Sequence, residues 1–262
     1  MKHFVALILI LGLLSACASN TTRPASAQSA SQITLTVFAA ASLTEAFSEM
    51  KTAFEATNPG VDVALNFAGS NTLRAQIEQG AQADVFASAN QKEMGKLTKI
   101  GLVNMDKKIN FLSNKLVVIT PQNNSASLSS FEGLSRPGMK LVLAAEEVPA
   151  GQYARQVLNN AGQDFKTQVL TNVVSNESTV KQVVAKVQLG EADAGIVYES
   201  DAVAAPELQV IEIPAEWNVL AEYPIAPLVH APHPELADAF IEFVLSPEGR
   251  AILKKWGFSP RQ

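Results

Sequence analysis

Ile33-Thr34-Leu35-Thr36-Val37-Phe38-Ala39-Ala40, running on through Ala41 into Ser42-Leu43-Thr44-Glu45, is a β-rich stretch that feeds directly into a helix. Ser42-x-x-Glu45 has the form of a capping box. Leu43, Ala46, Phe47, Met50, Ala53 and Phe54 then recur at helical spacing until Asn58-Pro59-Gly60 stops the helix. Val61 to Phe67 reads as a second strand. Ser70 to Glu78 reads as a second helix, with Leu73 and Ile77 on one face and Gly80 closing it. Asp84 to Ala87 is a third strand. Strands alternating with helices imply βαβ units and a mostly parallel sheet.

The same alternation resumes at Leu116. Leu116 to Thr120 is a strand, Gln122 to Ser130 a Ser/Asn-rich loop, Lys140 to Ala145 a strand and Ala150 to Leu158 a helix. Val180 to Leu189 is a helix, followed by strands Ala194 to Tyr198 and Leu208 to Ile213. After Pro224 the chain reads as a strand, Ile225 to Val229, and two helices, Pro234 to Leu245 and Pro247 to Lys255. The expected architecture is α/β with two lobes, residues 33–112 with 224–262 and residues 113–223. The crossover falls near Ser113 and the return near Tyr223. A cleft between such lobes is the default ligand site.

Upstream, Lys2 and His3 precede an unbroken apolar run, Phe4 to Leu14. It is too short to span a bilayer, which needs ~20 residues, but suits the core of a signal peptide. Residues 1–16 therefore read as a signal peptide of lipoprotein type, because Leu14-Ser15-Ala16-Cys17 resembles the bacterial lipoprotein cleavage signal. Cys17 becomes the lipid-modified first residue, and residues 17–32 a flexible tether. The alternative is an ordinary signal peptide with Cys17 incidental.

The 262 residues are 47% hydrophobic and 17% charged, which excludes a disordered chain or a coiled coil. With 20 Lys+Arg against 25 Asp+Glu the net charge is −5, so the basic footprint of a nucleic-acid binder is missing. One Cys and three His (His3, His230, His233) do not make a protein-ligated zinc site.

Small or hydroxylic residues stand wherever a strand meets its helix: Ala40-Ala41-Ser42-Leu43, Phe67-Ala68-Gly69-Ser70, Val148-Pro149-Ala150-Gly151 and Ser178-Thr179-Val180. A helix N-terminus offers unpaired N–H groups and about half a positive charge, an anion site that needs no cationic side chain. Gly69 and Gly151, lacking a Cβ, would let backbone approach a ligand closely. The competing reading makes Ser42 and Ser70 ordinary N-caps, each worth ~1 kcal/mol.

Taken with Ala83-Asp84-Val85-Phe86-Ala87-Ser88-Ala89, Gly151-Gln152-Tyr153-Ala154, Gly195-Ile196-Val197-Tyr198-Glu199-Ser200-Asp201-Ala202 and Glu222-Tyr223-Pro224-Ile225, these turns resemble the periplasmic molybdate-binding proteins of ABC importers. The likeness covers nearly all of residues 33–259, in the family's order and spacing. It implies the two-lobed periplasmic-binding-protein fold of type II. It also implies a tetrahedral oxyanion held by neutral donors: Ser42 and Ser70 through hydroxyl and backbone N–H, Ala150 and Val180 through backbone N–H, and Tyr198 through its phenol. The metal centre is then coordinated by its own oxo groups. Two positions depart from the family pattern. Gly69 replaces a Ser found in some relatives, and Ser178-Thr179 replaces an acidic pair.

A donor-only set selects its ligand. Molybdate and sulfate are fully deprotonated near neutral pH, so every oxygen accepts; phosphate carries a proton and needs an acceptor, which the five positions lack. The resemblance thus implies an exported, lipid-anchored monomer, without cofactor or catalytic activity, that delivers molybdate or tungstate to a permease driven by an ATPase. The alternatives are a receptor for sulfate or another oxyanion, an envelope enzyme on the same fold, and a sensing module.

Other chemistries lack their motifs. There is no phosphate loop, dinucleotide fingerprint or Gly-x-Ser-x-Gly elbow. His230 and His233 read as a loop before a helix, Glu146-Glu147 and Asp193 as solvated loop charges, Asp84 as structural, and Arg74 as a surface residue.

Overall fold

The computed structural model describes residues 32–261; the expected signal segment and Cys17 lie outside the described residues. The first sheet takes β1 (Ile33–Ala40), β2 (Val61–Ala68) and β3 (Val85–Ala87), interleaved with α1 (Thr44–Thr57), α2 (Ser70–Glu78) and α3 (Gln91–Lys99), and then β4 (Ile109–Asn114). The chain crosses through Lys115 into a second sheet. There it forms β5 (Leu116–Thr120), β6 (Leu141–Ala144), α4 (Pro149–Asn160), α5 (Gln163–Thr171), β7 (Val173–Glu177), α6 (Val180–Gln188), β8 (Ala194–Tyr198), α7 (Glu199–Val203) and β9 (Gln209–Glu212). It returns to the first sheet as β10 (Ala221–Pro227), then α8 (Pro234–Leu245), α9 (Pro247–Lys255) and the short β11 (Ser259–Pro260).

The strand orders are β11-β4-β10-β3-β1-β2 and β7-β6-β8-β5-β9. Both sheets are mixed rather than mostly parallel. The βαβ units pair in parallel (β1 with β2 and β3, β6 with β7 and β8), whereas strands next to the crossovers run against them, as in β10 with β3 and β4 and β5 with β8 and β9. A second correction concerns Pro224, which does not precede its strand but lies inside β10. The register shifts between Tyr223 and Pro224, a bulge that spares the ladder the N–H that proline lacks.

Each lobe has its own aromatic core. In the first, Phe47 and Phe54 of α1 pack against Phe240 of α8 with centroids 6.0 and 5.2 Å apart, which fixes α1 over the sheet. In the second, Phe131 packs on Phe165 and Trp217. Where the chain enters and leaves the second lobe, the Asn218 side chain accepts from Leu116 N at 3.2 Å and donates to Leu116 O at 2.9 Å, holding the incoming and outgoing segments together. Among the described residues no helix is long and apolar enough to cross a membrane.

Candidate functional site

The C-terminal ends of β1, β2, β6 and β8 all deliver chain to the space between the lobes, the position where ligands bind in α/β sheets. Ser42 lies in a tight 3-10 turn, Ala41–Leu43, inserted between β1 and α1. The capping box expected at Ser42-x-x-Glu45 does not form. Leu43 holds the cap position of α1, and Ser42 stands one residue too early to reach the first free amides. Its hydroxyl turns inward, buried, with Oγ 2.9 Å from the phenol oxygen of Tyr223.

Ser70 opens α2 behind Gly69, which offers no side-chain cap. The Ser70 Oγ accepts from Ala89 N at 3.0 Å, so its own proton is free for another partner. Neither serine is therefore an N-cap. A capping box does occur at the start of α6, where Thr179 Oγ1 accepts from Gln182 N and Gln182 Oε1 accepts from Thr179 N. It leaves Val180 as the first helical residue. In α4, Pro149 takes the first position, where its missing N–H costs nothing, and Ala150 follows. Ser70, Ala150 and Val180 thus all stand in first turns, whose amides have no carbonyl partner in their own helices.

Tyr198 ends β8. Its ring is buried edge-on to Tyr223 and Tyr153, with centroids 5.7 and 6.4 Å away, and its hydroxyl has no hydrogen-bond partner among the described residues. Burial holds this phenol well above its ordinary range, so it stays a neutral donor.

Ser42, Ser70, Ala150, Val180 and Tyr198 all line one small cavity, about 10 Å³, and no charged side chain among the described residues lines it. Its walls come from both sheets, and other contacts bridge the lobes. The Asn90 Nδ2 donates to Gln152 Oε1 at 3.3 Å, and Lys181 Nζ of α6 donates to Glu45 Oε2 of α1 at 2.7 Å. Lys181 also pairs with the buried Asp201 Oδ1 at 3.2 Å. Burial raises the Asp201 carboxyl despite that cation. Burial pulls the Lys181 ammonium down, but Asp201 and Glu45 overcome it and leave it raised.

The two glycines separate in role. A Cβ on Gly69 would stand 2.9 Å from Ser178 O across the cleft, so this glycine allows the lobes to meet. A Cβ on Gly151 would fall on the carbonyl oxygens of Ala144 and Ala145; its absence lets α4 pack on the end of β6 rather than admit a ligand.

The residues set aside in the sequence lie elsewhere. Asp84 is buried and accepts from Thr36 N at 2.8 Å and His233 N at 2.6 Å, tying the first sheet to the start of α8. Arg74 is not a free surface residue: it binds the buried Glu93 at 2.8 Å and also Glu78. Asp193 accepts from Lys140 N at 2.8 Å, while Glu146 and Glu147 are exposed. Among the described residues no group of three His, Cys, Asp or Glu is placed to hold a metal ion.

Sequence reasoning assigned no role to Tyr223 or Lys181, and gave Glu45 only a place in a capping box. Tyr223 stood within a recognised motif, but its partner Ser42 is 181 positions away and Lys181 is 136 positions from Glu45, separations that a single sequence does not reveal.

The pattern of the bacterial extracellular solute-binding proteins matches residues 35–259. The molybdate-binding protein ModA of Mycobacterium tuberculosis is 38% identical over 97% of this chain and 95% of its own. The solved substrate-binding domain assigned to a molybdenum ABC transporter of Clostridium difficile is 33% identical, covering 88% of this chain and all of that one with a TM-score of 0.67. The sulfate-binding protein SubI of Mycobacterium tuberculosis superposes with a TM-score of 0.80 over 87% of each chain at 21% identity, a likeness of fold alone. The chain belongs to the bacterial extracellular solute-binding proteins, in the family of the molybdate-binding protein ModA.

Proposed function

We propose that this chain is an exported receptor that captures molybdate, or tungstate of like shape and charge, between its lobes and hands it to an ABC permease with its ATPase. Ser42 and Ser70 donate hydroxyl and backbone hydrogens from one lobe; Ala150 and Val180 donate backbone N–H, and Tyr198 its phenol, from the other. The lobes on this reading are residues 33–112 with 224–262, and residues 113–223. A ligand that touches both stabilises the closed form by its differential affinity for it. No protein atom ligates the metal, no cofactor takes part, and the role is binding rather than catalysis. Cys17 carries the lipid that holds a monomer at the membrane, in the periplasm or its equivalent.

The observation that carries this reading is the Tyr198 hydroxyl, fully buried, without a partner among the described residues, and lining a cavity that none of their charged side chains enters. An orphan buried donor costs ~1–3 kcal/mol, and a fully deprotonated oxyanion removes that cost. The lack of a carboxylate in the lining argues against phosphate. Sulfate offers the same acceptors and differs from molybdate chiefly in size.

Thermal melts with molybdate, tungstate, sulfate and phosphate test the proposal. A ligand at about a hundred times its dissociation constant adds ~2.7 kcal/mol, a rise of roughly 5–11 °C at this size. The expected result is a rise with molybdate and tungstate only. A rise with sulfate alone transfers the assignment to sulfate, and no rise with any anion ends it.

A further inference from the structure

The two cavity serines differ in what stands behind them. The Ser70 Oγ receives an N–H from Ala89, a group that is always a donor, so the Ser70 proton must point elsewhere. The Ser42 Oγ faces a hydroxyl, Tyr223 OH, at 2.9 Å, and either oxygen is able to donate. If Ser42 donated to Tyr223, it would turn lone pairs toward the cavity and repel an anion whose every oxygen accepts. If Tyr223 donates, the Ser42 proton is committed to the ligand. The phenol is well suited to that task. It is fully buried, its ring is held edge-on between Tyr198 at 5.7 Å and Phe258 at 5.9 Å, and it sits on β10 at the register shift beside Pro224.

We propose that Tyr223 is a positioning residue for oxyanion recognition: its phenol donates to Ser42 Oγ and so fixes Ser42 as a donor to the ligand, as the Ala89 N–H fixes Ser70. Tyr223 need not touch the anion; it sets the direction of a hydrogen-bond chain that ends on it. The inference rests on the proposed oxyanion function and adds to it a source of selectivity outside the cavity wall. A serine free to reverse its hydroxyl serves an acceptor or a donor equally. A serine locked from behind serves only an acceptor and rejects an anion that carries a proton.

The test is a double-mutant cycle on the intact protein, with molybdate affinity measured for wild type, Tyr223→Phe, Ser42→Ala and the double variant. Tyr223→Phe keeps the ring and removes only the hydroxyl. It is expected to weaken binding roughly tenfold in the wild-type background and to have no further effect once Ser42 is alanine. An equal loss in both backgrounds, or no loss in either, overturns the proposal. Should Tyr223→Phe lower the melting temperature of the ligand-free protein, site-specific replacement of Tyr223 by a ring-fluorinated tyrosine decides instead. This side chain has nearly the same shape and is a stronger donor, so tighter molybdate binding is expected and unchanged or weaker binding overturns the idea. Wild-type protein that binds neither molybdate nor tungstate overturns the functional reading along with this inference, and is recognised because it needs no variant.

Discussion

The Lys181 ammonium on α6 donates to the Glu45 carboxylate on α1 at 2.7 Å, joining a helix of the second lobe to one of the first immediately beside the cavity. Both side chains are partly exposed, 26% and 30%, so the pair resembles a surface ion pair more than a buried one. Such pairs contribute ~0.2–1 kcal/mol. The pair joins the two lobes, so if opening parts them, Glu45→Gln should act on release rather than on folding. The dissociation rate of molybdate should rise about three- to fivefold, with the melt of the ligand-free protein nearly unchanged. Stopped-flow release reads this directly; an unchanged rate means the closed state does not depend on the bridge.

Lys181 has a second duty, since it is the cation paired with the buried Asp201 at 3.2 Å. Lys181→Met keeps much of the apolar stem but strands a carboxylate in the interior, a change that costs ~3–5 kcal/mol. The Asp201 carboxyl is already raised by burial, and removing the ammonium raises it further. A carboxyl whose folded pKa exceeds its unfolded value favours folding while protonated. That contribution is full below the unfolded pKa and is lost as pH rises through the folded one. Urea melts should therefore show a larger defect at about pH 8 than at about pH 5. A defect independent of pH would place its origin in packing instead.

What the sequence disclosed follows from what is local in it. The βαβ order, the helix spacing of Leu43, Ala46, Phe47, Met50 and Phe54, and the helix-start positions of Ser70, Ala150 and Val180 are properties of short windows, and the fold keeps them. The capping box at Ser42 misled because Ser-x-x-Glu specifies a spacing and not the inserted 3-10 turn that withdraws the serine. The mixed sheets were not legible, since strand direction next to a crossover is set by long-range pairing such as Ala221 with Asn114. Gly69 and Gly151 looked alike in the sequence and part in the structure: one faces the opposite lobe, the other its own sheet.

That separation gives opposite expectations for the same substitution. In Gly69→Ala the new methyl would lie 2.9 Å from Ser178 O and 2.7 Å from Asn71 Oδ1, close enough to hold the lobes apart without disturbing either core. Affinity falls in proportion to the lost closed population, so a weakening of at least about tenfold is expected while the ligand-free melt stays near wild type. In Gly151→Ala the methyl would strike backbone within one lobe, and loss of stability by ~3 kcal/mol or more is expected with or without ligand. Titration calorimetry paired with thermal melts distinguishes the two. Equal stability losses in both variants would remove the case for Gly69 as a closure contact.

The chain has three tyrosines, Tyr153, Tyr198 and Tyr223, and burial raises the phenol of each: Tyr153 to about 12, Tyr198 and Tyr223 well above their ordinary value. In the unfolded chain all three ionise near ~10. Above that pH the unfolded chain gives up protons that the native state retains. Stability is therefore full below about pH 10 and falls as pH rises from there. An ultraviolet titration of the folded protein should show almost no phenolate at about pH 10, and the same titration in denaturant should show three groups. Binding follows from the same protons. Tyr198 and both serine hydroxyls remain donors, so molybdate affinity should be flat from about pH 6.5 to about pH 9. A native phenolate appearing near pH 9, with affinity falling in step, would mean that Tyr198 is in contact with water and is not the buried donor this site requires.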